Sequence, residues 1–212
     1  TERKERVWFE GSLPAGAAME GTWQWDHGLK FRPAHTDAAA AGPHSHGFHS
    51  AKAGFEIQPS DHLYTYVMIV PGQVPEQIML QFHDGTNWEH RAFWGADKIQ
   101  AGAVNSPSRF RVGDVPAAGD WMLLDVPAKA IGLDGKKIHG MQFMLFGGQA
   151  KFNRGGTIDP AEVPERSYIV EWRYPLSRVE ESATESSPAQ PAASASTPQR
   201  LNSSTSSWSG HI

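Results

Sequence analysis

One stretch, from Ile78 to Gly95, constrains this chain more than any other. It reads Ile78-Met79-Leu80-Gln81-Phe82-His83-Asp84-Gly85-Thr86-Asn87-Trp88-Glu89-His90-Arg91-Ala92-Phe93-Trp94-Gly95, two runs of alternating apolar and polar residues around a cluster of turn formers. Side chains alternate across a strand with period two, so these runs fit half-buried strands and not a helix of period 3.6. Asp84-Gly85 sets a residue that bonds its own backbone beside one that tolerates positive φ, as a hairpin loop requires. With even positions held together, Ile78, Leu80, Phe82, Trp88, Ala92 and Trp94 make an apolar face with His90 among them. Gln81, His83, Glu89 and Arg91 line the other face, which is expected to meet solvent or a ligand.

The same signals recur along the chain. Val7 to Glu10 reads as a first strand, and Trp23-Gln24-Trp25-Asp26 puts two indoles on one face of an extended segment. Residues 33–45 have no period and read as loop. Phe55 and Ile57 alternate, and Leu63 to Val70 is a β-rich run apolar on both faces, as in a central strand. A polar connection follows Gly95 and runs to Asp120. Trp121 to Val126 is then a strand and Ala128 to Leu133 a helical turn. Ile138 to Phe146 is a long strand that turns at Gly147-Gly148 into Ala150–Asn153. Tyr168 to Tyr174 is expected to be the closing strand. About nine strands with hardly any amphipathic helix predict an all-β fold, a two-sheet antiparallel jelly-roll sandwich.

Composition agrees and excludes several roles. Hydrophobic residues are only 39% of the 212, below the usual globular share, and the dilution lies mostly in the C-terminal stretch. From Ser177 onward eleven of thirty-six residues are serine, with Pro188, Pro191 and Pro198 among them, so a disordered tail or stalk is expected over 177–212. The organisation read from this is a linker over 1–6, a β-sandwich module over 7–176, and the tail. A net charge of -4 offers no basic footprint for nucleic acid. No apolar run is long enough to insert in a membrane. The absence of cysteine excludes disulfides and thiolate chemistry without fixing the compartment. The charged start at Thr1 resembles neither an initiator methionine nor a signal peptide, so the chain reads as a piece of a longer protein.

Several strings resemble a known module. Ile78 to Gly85, Trp88 to Gly95, Trp121 to Ala128, Gly132-Leu133 and Gly140-Met141-Gln142-Phe143 look like a non-catalytic, carbohydrate-binding-like or lectin-like β-sandwich. Such modules recur in large planctomycete cytochrome-c-type proteins and in other bacterial surface proteins. The similarity runs from about Val7 to Asn153, and Trp88-Glu89-His90-Arg91-Ala92-Phe93-Trp94-Gly95 is its most specific part. It implies an exported protein, periplasmic, cell-surface or secreted, with other domains of a parent chain as partners, and assigns no catalytic residue. The chain departs from the pattern at Gly147, where an acidic residue is usual before Gly148, and at Asn153, where an Asp is usual. A structural cation held by those acids in relatives is therefore in doubt here.

Three functions follow from the residues. A polysaccharide- or glycan-binding module would use Gln81, His83, Glu89 and Arg91 for hydroxyls, with Phe93, Trp23 or Trp25 as stacking platforms. Arg91 would be the sharpest contact, because its planar fork suits vicinal hydroxyls or a uronate. On that reading Arg91→Lys leaves the melting temperature unchanged and weakens binding about tenfold. The second function is a structural spacer. The third is an enzyme. No spacing selects a carboxylate pair among Glu56, Asp84, Glu89, Asp125 and Glu171. His44-Ser45-His46 points two imidazoles one way and locally resembles a cupin-type site, and a metal enzyme would add His83 or His90. The next acid, Glu56, lies too far on for that pattern, so no metal and no cofactor is expected.

Overall fold

In the computed structural model, alternation of buried and exposed side chains has produced fourteen strands and one 3-10 turn among the described residues, 5–28 and 33–160. All lie within Thr1–Trp172, the larger of two units into which the chain divides. The strand expected over Tyr168–Tyr174 and the serine-rich stretch 177–212 fall outside the described residues. In chain order the strands are β1 (Glu5–Phe9), β2 (Ala18–Glu20), β3 (Gln24–Asp26), β4 (Ala34–Thr36), β5 (Pro43–His49), β6 (Phe55–Glu56) and β7 (His62–Ile69). They continue as β8 (Gln77–His83), β9 (His90–Gly95), β10 (Phe110–Gly113), β11 (Trp121–Pro127), β12 (Lys137–Ile138), β13 (Gly140–Phe146) and β14 (Ala150–Ile158). The turn expected after Trp121–Val126 is the 3-10 turn Ala128–Ile131, ended by Gly132 in the left-handed region.

Two six-stranded sheets carry the fold. The first runs β11-β7-β14-β4-β3 with β1 also on β14, and the second β10-β9-β8-β13-β5-β2. Taking β4, β5, β7, β8, β9, β11, β13 and β14 as first to eighth, the sheets read first-eighth-third-sixth and second-seventh-fourth-fifth. That order is left when a long antiparallel ribbon is wrapped around a core, so the expected antiparallel jelly-roll sandwich is the architecture observed. One pair departs from it, since β10 lies parallel to β9.

The core follows the hairpin's parity. Ile78 pairs with Trp94, Leu80 with Ala92 and Phe82 with His90, and Ile78, Leu80, Phe82, Ala92 and Trp94 all enter one buried cluster. Phe143, Leu145 and Phe48 of the same sheet and Val67, Phe152 and Leu124 of the other complete it. The turn has a local cause. Asp84 Oδ1 accepts the N–H groups of Thr86 and Asn87, both at 2.9 Å, and Gly85 takes φ +95°. Burial pushes the Asp84 carboxyl up, but the Asn87 and Thr86 amides and His90 outweigh it and draw the pKa down to about 2.

The structure corrects two loop expectations. Residues 33–45 contain β4 and the start of β5, and the connection after Gly95 contains β10. Propensity gives little signal over three- and four-residue strands, and tertiary burial decides instead: Ala34 and His35 are both sealed from solvent, His35 on the face toward the second sheet. His35 of β4 reaches across to His46 of β5, Nδ1 to Nε2 at 2.7 Å. The nearby Asp37 accepts from His44 Nδ1 at 2.7 Å and stands 3.9 Å from His46 Nδ1.

Two outcomes are expected. Trp94→Ala should cost about 3–5 kcal/mol in urea unfolding, the range for a buried aromatic. Burial, and secondarily the neighbouring His46, holds the His35 pKa well below its ordinary value. The unfolded chain therefore takes up that proton first, and stability should be level above about pH 6.5 and fall below it by up to about 1.4 kcal/mol per pH unit. Calorimetric melting across pH, compared with His35→Gln, measures this contribution.

Candidate functional site

The outward face of the second sheet is a grid set by strand register. Arg91, Gln81, Gln142, Gly47 and Glu20 form one row across β9, β8, β13, β5 and β2. On one side of it lies the row of His83, Gly140 and His49, and on the other the row of Phe93, Met79, Met144 and Ser45. A hydrogen-bonded chain ties the rows together. Glu89 accepts Arg91 Nη1 at 3.1 Å and Nη2 at 3.0 Å, and Arg91 Nε donates to Gln81 Oε1. Gln81 Nε2 donates to Gln142 Oε1 at 2.7 Å, and Gln142 Nε2 to Ser45 Oγ at 3.2 Å.

Part of this face is closed, which the alternation did not foretell. The connection between β9 and β10 folds back over it. Ile99 packs on Met79 and Phe93, the Lys98 and Ile99 amides donate to Gln77 Oε1 at 2.7 Å, and Ser108 O accepts Arg91 Nη1 at 3.0 Å. Phe93 is 1% exposed and Arg91 6%. Phe93 thus offers no surface to a sugar ring, and every Arg91 nitrogen has a protein partner. Gln81 is buried as well, while Glu89 stays exposed as the outer partner of Arg91.

The open part lies by the hairpin turn. Trp88, expected in the core, lies on this outward face instead. A Cβ built at Gly140 would stand 3.0 Å from its ring atom Cη2, and its ring meets His83 edge-on at 5.0 Å between centroids. The reason is that β9 begins only at His90, and Asn87 Oδ1 holds the Glu89 amide at 2.8 Å within the turn. Parity along a strand does not extend through a turn. Gly47 and Gly140 carry no side chains, and their neighbours lie close over them: a Cβ at Gly47 would stand 2.8 Å from Gln142 Cγ, as one at Gly140 would stand against the Trp88 ring, with His83, His49 and Glu20 in the surrounding register positions. His139 adjoins the turn, since a Cβ at Gly85 would lie 3.2 Å from its Cδ2.

His83 is half-exposed, and its Nδ1 accepts the Gly85 N–H at 3.1 Å. Burial lowers its pKa, and His49 and His139 push the same way against Asp84 and Glu20. His49 Nε2 lies 3.4 Å from Glu20 Oε1. Sequence reasoning missed His49, His139 and Trp88 here because only register and the turn bring them together.

The remaining candidates lie elsewhere. Trp23 is half-buried at the sandwich edge; its Nε1 donates to Gly47 O at 2.9 Å and its ring packs on His35 and His46. Trp25 stacks on Trp23 at 5.2 Å and on the exposed His27 at 5.9 Å. The two indoles share a face as expected, but the inner one is held as packing. His44 and His46 face Asp37 and His35, whereas His90 bonds Ile131 O at 2.7 Å and Asp84 at 3.1 Å. Among the described residues no group of three or more His, Asp or Glu side chains is placed to hold a metal ion. Asp125 is held by His62 at 2.7 Å and Glu56 faces Lys137; Glu171 lies outside the described residues. No helix among them is long and apolar enough to cross a membrane.

No family model matches the chain, and no curated protein does. Solved structures give broad likenesses. One is the glycoside hydrolase domain of Endo-D from Streptococcus pneumoniae R6, at TM-score 0.41 and 10% identity, covering 70% of this chain and 22% of that one. A second is TmCBM61 in complex with β-1,4-galactotriose, at 0.41 and 10%, covering 72% and 97%. A third is the family 11 carbohydrate-binding module of the cellulosomal cellulase Lic26A-Cel5E of Clostridium thermocellum, at 0.39 and 12%, covering 74% and 94%. At these scores the site must be read from its own residues.

The closed geometry reverses one expectation. Arg91→Lys cannot serve Gln81, Glu89 and Ser108 at once, so it should destabilise by about 1.5–3 kcal/mol, the worth of buried charge-assisted bonds. Urea unfolding at unchanged slope checks it, where an open face would have given no change.

Proposed function

We propose that the chain is a non-catalytic binding module for polysaccharide or a cell-surface glycan within a larger exported bacterial protein, and that Trp88 is its platform. The observation that carries this reading is a half-exposed indole on the sheet surface above Gly140, with no acceptor for its N–H among the described residues. A half-exposed indole offers a flat apolar face with a polar edge, the combination that enriches tryptophan at interfaces. Sugars present C–H faces that stack on such a ring and hydroxyls that planar amides and imidazoles bond. Gln142, His83 and His49 supply those groups beside the ring. The resemblance of Trp88 to Gly95 to planctomycete and other bacterial surface modules points the same way.

The test is a glycan array followed by titration of the best ligand. Trp88→Ala should weaken binding at least about tenfold, or ~1.4 kcal/mol. Its stability should fall by no more than about 2 kcal/mol, less than for a fully buried ring. Silence across the array, with a stable monomer, would favour a structural spacer instead.

A further inference from the structure

The outward face of the first sheet is apolar where a solvent-facing antiparallel sheet is ordinarily polar. Register sets Tyr64 and Tyr66 of β7 beside Asp125 and Leu123 of β11, on the side opposite the core residues Leu63, Val67, Leu124 and Val126. Tyr64, Tyr66, Leu123 and Ile158 form a cluster of their own, flanked by Trp121. They are 0%, 1%, 4% and 1% exposed. Side chains stand roughly perpendicular to a sheet, so neighbours within it shield their flanks and leave their tips open. Sealing four of them takes a further layer. On the second sheet Ile99 belongs to such a layer. Here, among the described residues, every hydrophobic side chain in the cluster belongs to β7, β11 or β14 themselves.

The polar groups on this face are paired with one another. Tyr64 Oη donates to Glu5 Oε2 at 3.1 Å and Tyr66 Oη to Glu5 Oε1. Arg154 Nη1 donates to Glu5 Oε2 at 2.7 Å and Arg154 Nε to Glu10 Oε1 at 3.0 Å, while His62 holds Asp125 at 2.7 Å. An apolar layer can therefore close over the tyrosines and the Glu5 carboxylate without leaving them unmet. A sugar needs polar groups still open to its hydroxyls.

The description of the chain ends at Pro160, two positions after Ile158 of the cluster, and the compact unit that holds the sheets runs on to Trp172. Period-two alternation over 168–172 sets Tyr168, Val170 and Trp172 on one face and Ile169 and Glu171 on the other. Fully extended, the seven residues 161–167 span about 23–25 Å. From the His62 row to the Met68 row the face is about 20 Å long, so all of it lies within reach.

We propose that residues 161–172 return from Pro160 over the outward face of the first sheet, and that Tyr168, Val170 and Trp172 set down on Tyr64, Tyr66 and Leu123. The occupant of this face is then the chain's own segment, and ligand recognition is left to the second sheet. The inference stands whether or not that ligand is a glycan.

The experiment uses the full chain, which contains no cysteine. Leu123→Cys is combined in turn with Tyr168→Cys, Val170→Cys and Trp172→Cys, and the same three are combined with Met19→Cys, 63% exposed on β2 of the second sheet. Each protein is shown to be folded by circular dichroism and oxidised at low concentration. A disulfide needs Cα atoms within about 7 Å, so at least one Leu123 pair should close within the chain and no Met19 pair should. Brief trypsin digestion of the parent chain, read by mass spectrometry, should cut at Arg173 or Arg178 and spare Arg166. Val170→Asp should open Arg166 to cleavage, and Glu171→Ala should not. If Val170→Asp fails to fold, the disulfide pairs and the parent digest decide. No closure in any Leu123 pair, closure with Met19, early cutting at Arg166 in the folded parent, or continued protection of Arg166 in a folded Val170→Asp overturns the proposal. Disulfides formed only between chains overturn it too, and assign the face to a second copy.

Discussion

The carboxylate of Asp84 is the contact on which most of this site depends. It accepts the amides of Thr86 and Asn87 and takes His90 Nε2 at 3.1 Å, while His90 Nδ1 reaches Ile131 O at 2.7 Å. One side chain thus closes the β8–β9 turn and ties it to the 3-10 turn after β11. Because side chains alternate with period two, a slip of one residue in this hairpin would exchange the faces of both strands. Ile78, Leu80 and Phe82 would then leave the core for the surface. The same turn carries Trp88 out of strand parity and onto the sheet's outer surface, so the packing of the core and the position of the exposed indole share one cause.

Much of the fold was legible because half-buried strands write their burial into the sequence. The parity of Ile78, Leu80, Phe82, Ala92 and Trp94, the two-faced run at β7, and the alternation of Met141, Phe143 and Leu145 are all found as read. What escaped was decided by contacts distant in sequence. β4 is three residues long and is a strand because β3 and β14 flank it. Arg91 has the alternation of a solvent-facing residue, yet Ser108, seventeen positions on, closes over it. The candidate site was half legible for the same reason. His83 lies at a strand end and keeps its parity, while Trp88 lies in a turn, where parity has no meaning.

The outward face of the second sheet divides its work between two rows. One is spent on structure, where Glu89, Arg91, Gln81, Gln142 and Ser45 satisfy one another across four strands and beside them. A polar row so fully paired resists rearrangement, because a broken member would leave a buried donor or acceptor unmet. Glycine lets the rows pack closely: Gly47, within the paired row, could not be otherwise, since a Cβ there would lie 2.8 Å from Gln142 Cα, and in the next row Gly140, between His83 and His49, lies under the Trp88 ring. Beside so rigid a row, Trp88 and the imidazoles sit on fixed backbone, so little ordering entropy remains to be lost on binding.

The imidazole pair between the sheets has a mechanical meaning. Apolar surfaces attract without direction, and two greasy sheets could shear past each other by one residue, about 3.3 Å, with modest loss. The bond from His35 to His46, 2.7 Å long and sealed at 1% exposure on both sides, tolerates no such travel, since any shear strands two polar rings in a dry interior. It acts as a dowel through two planks. The stagger of one sheet over the other is fixed by that pin.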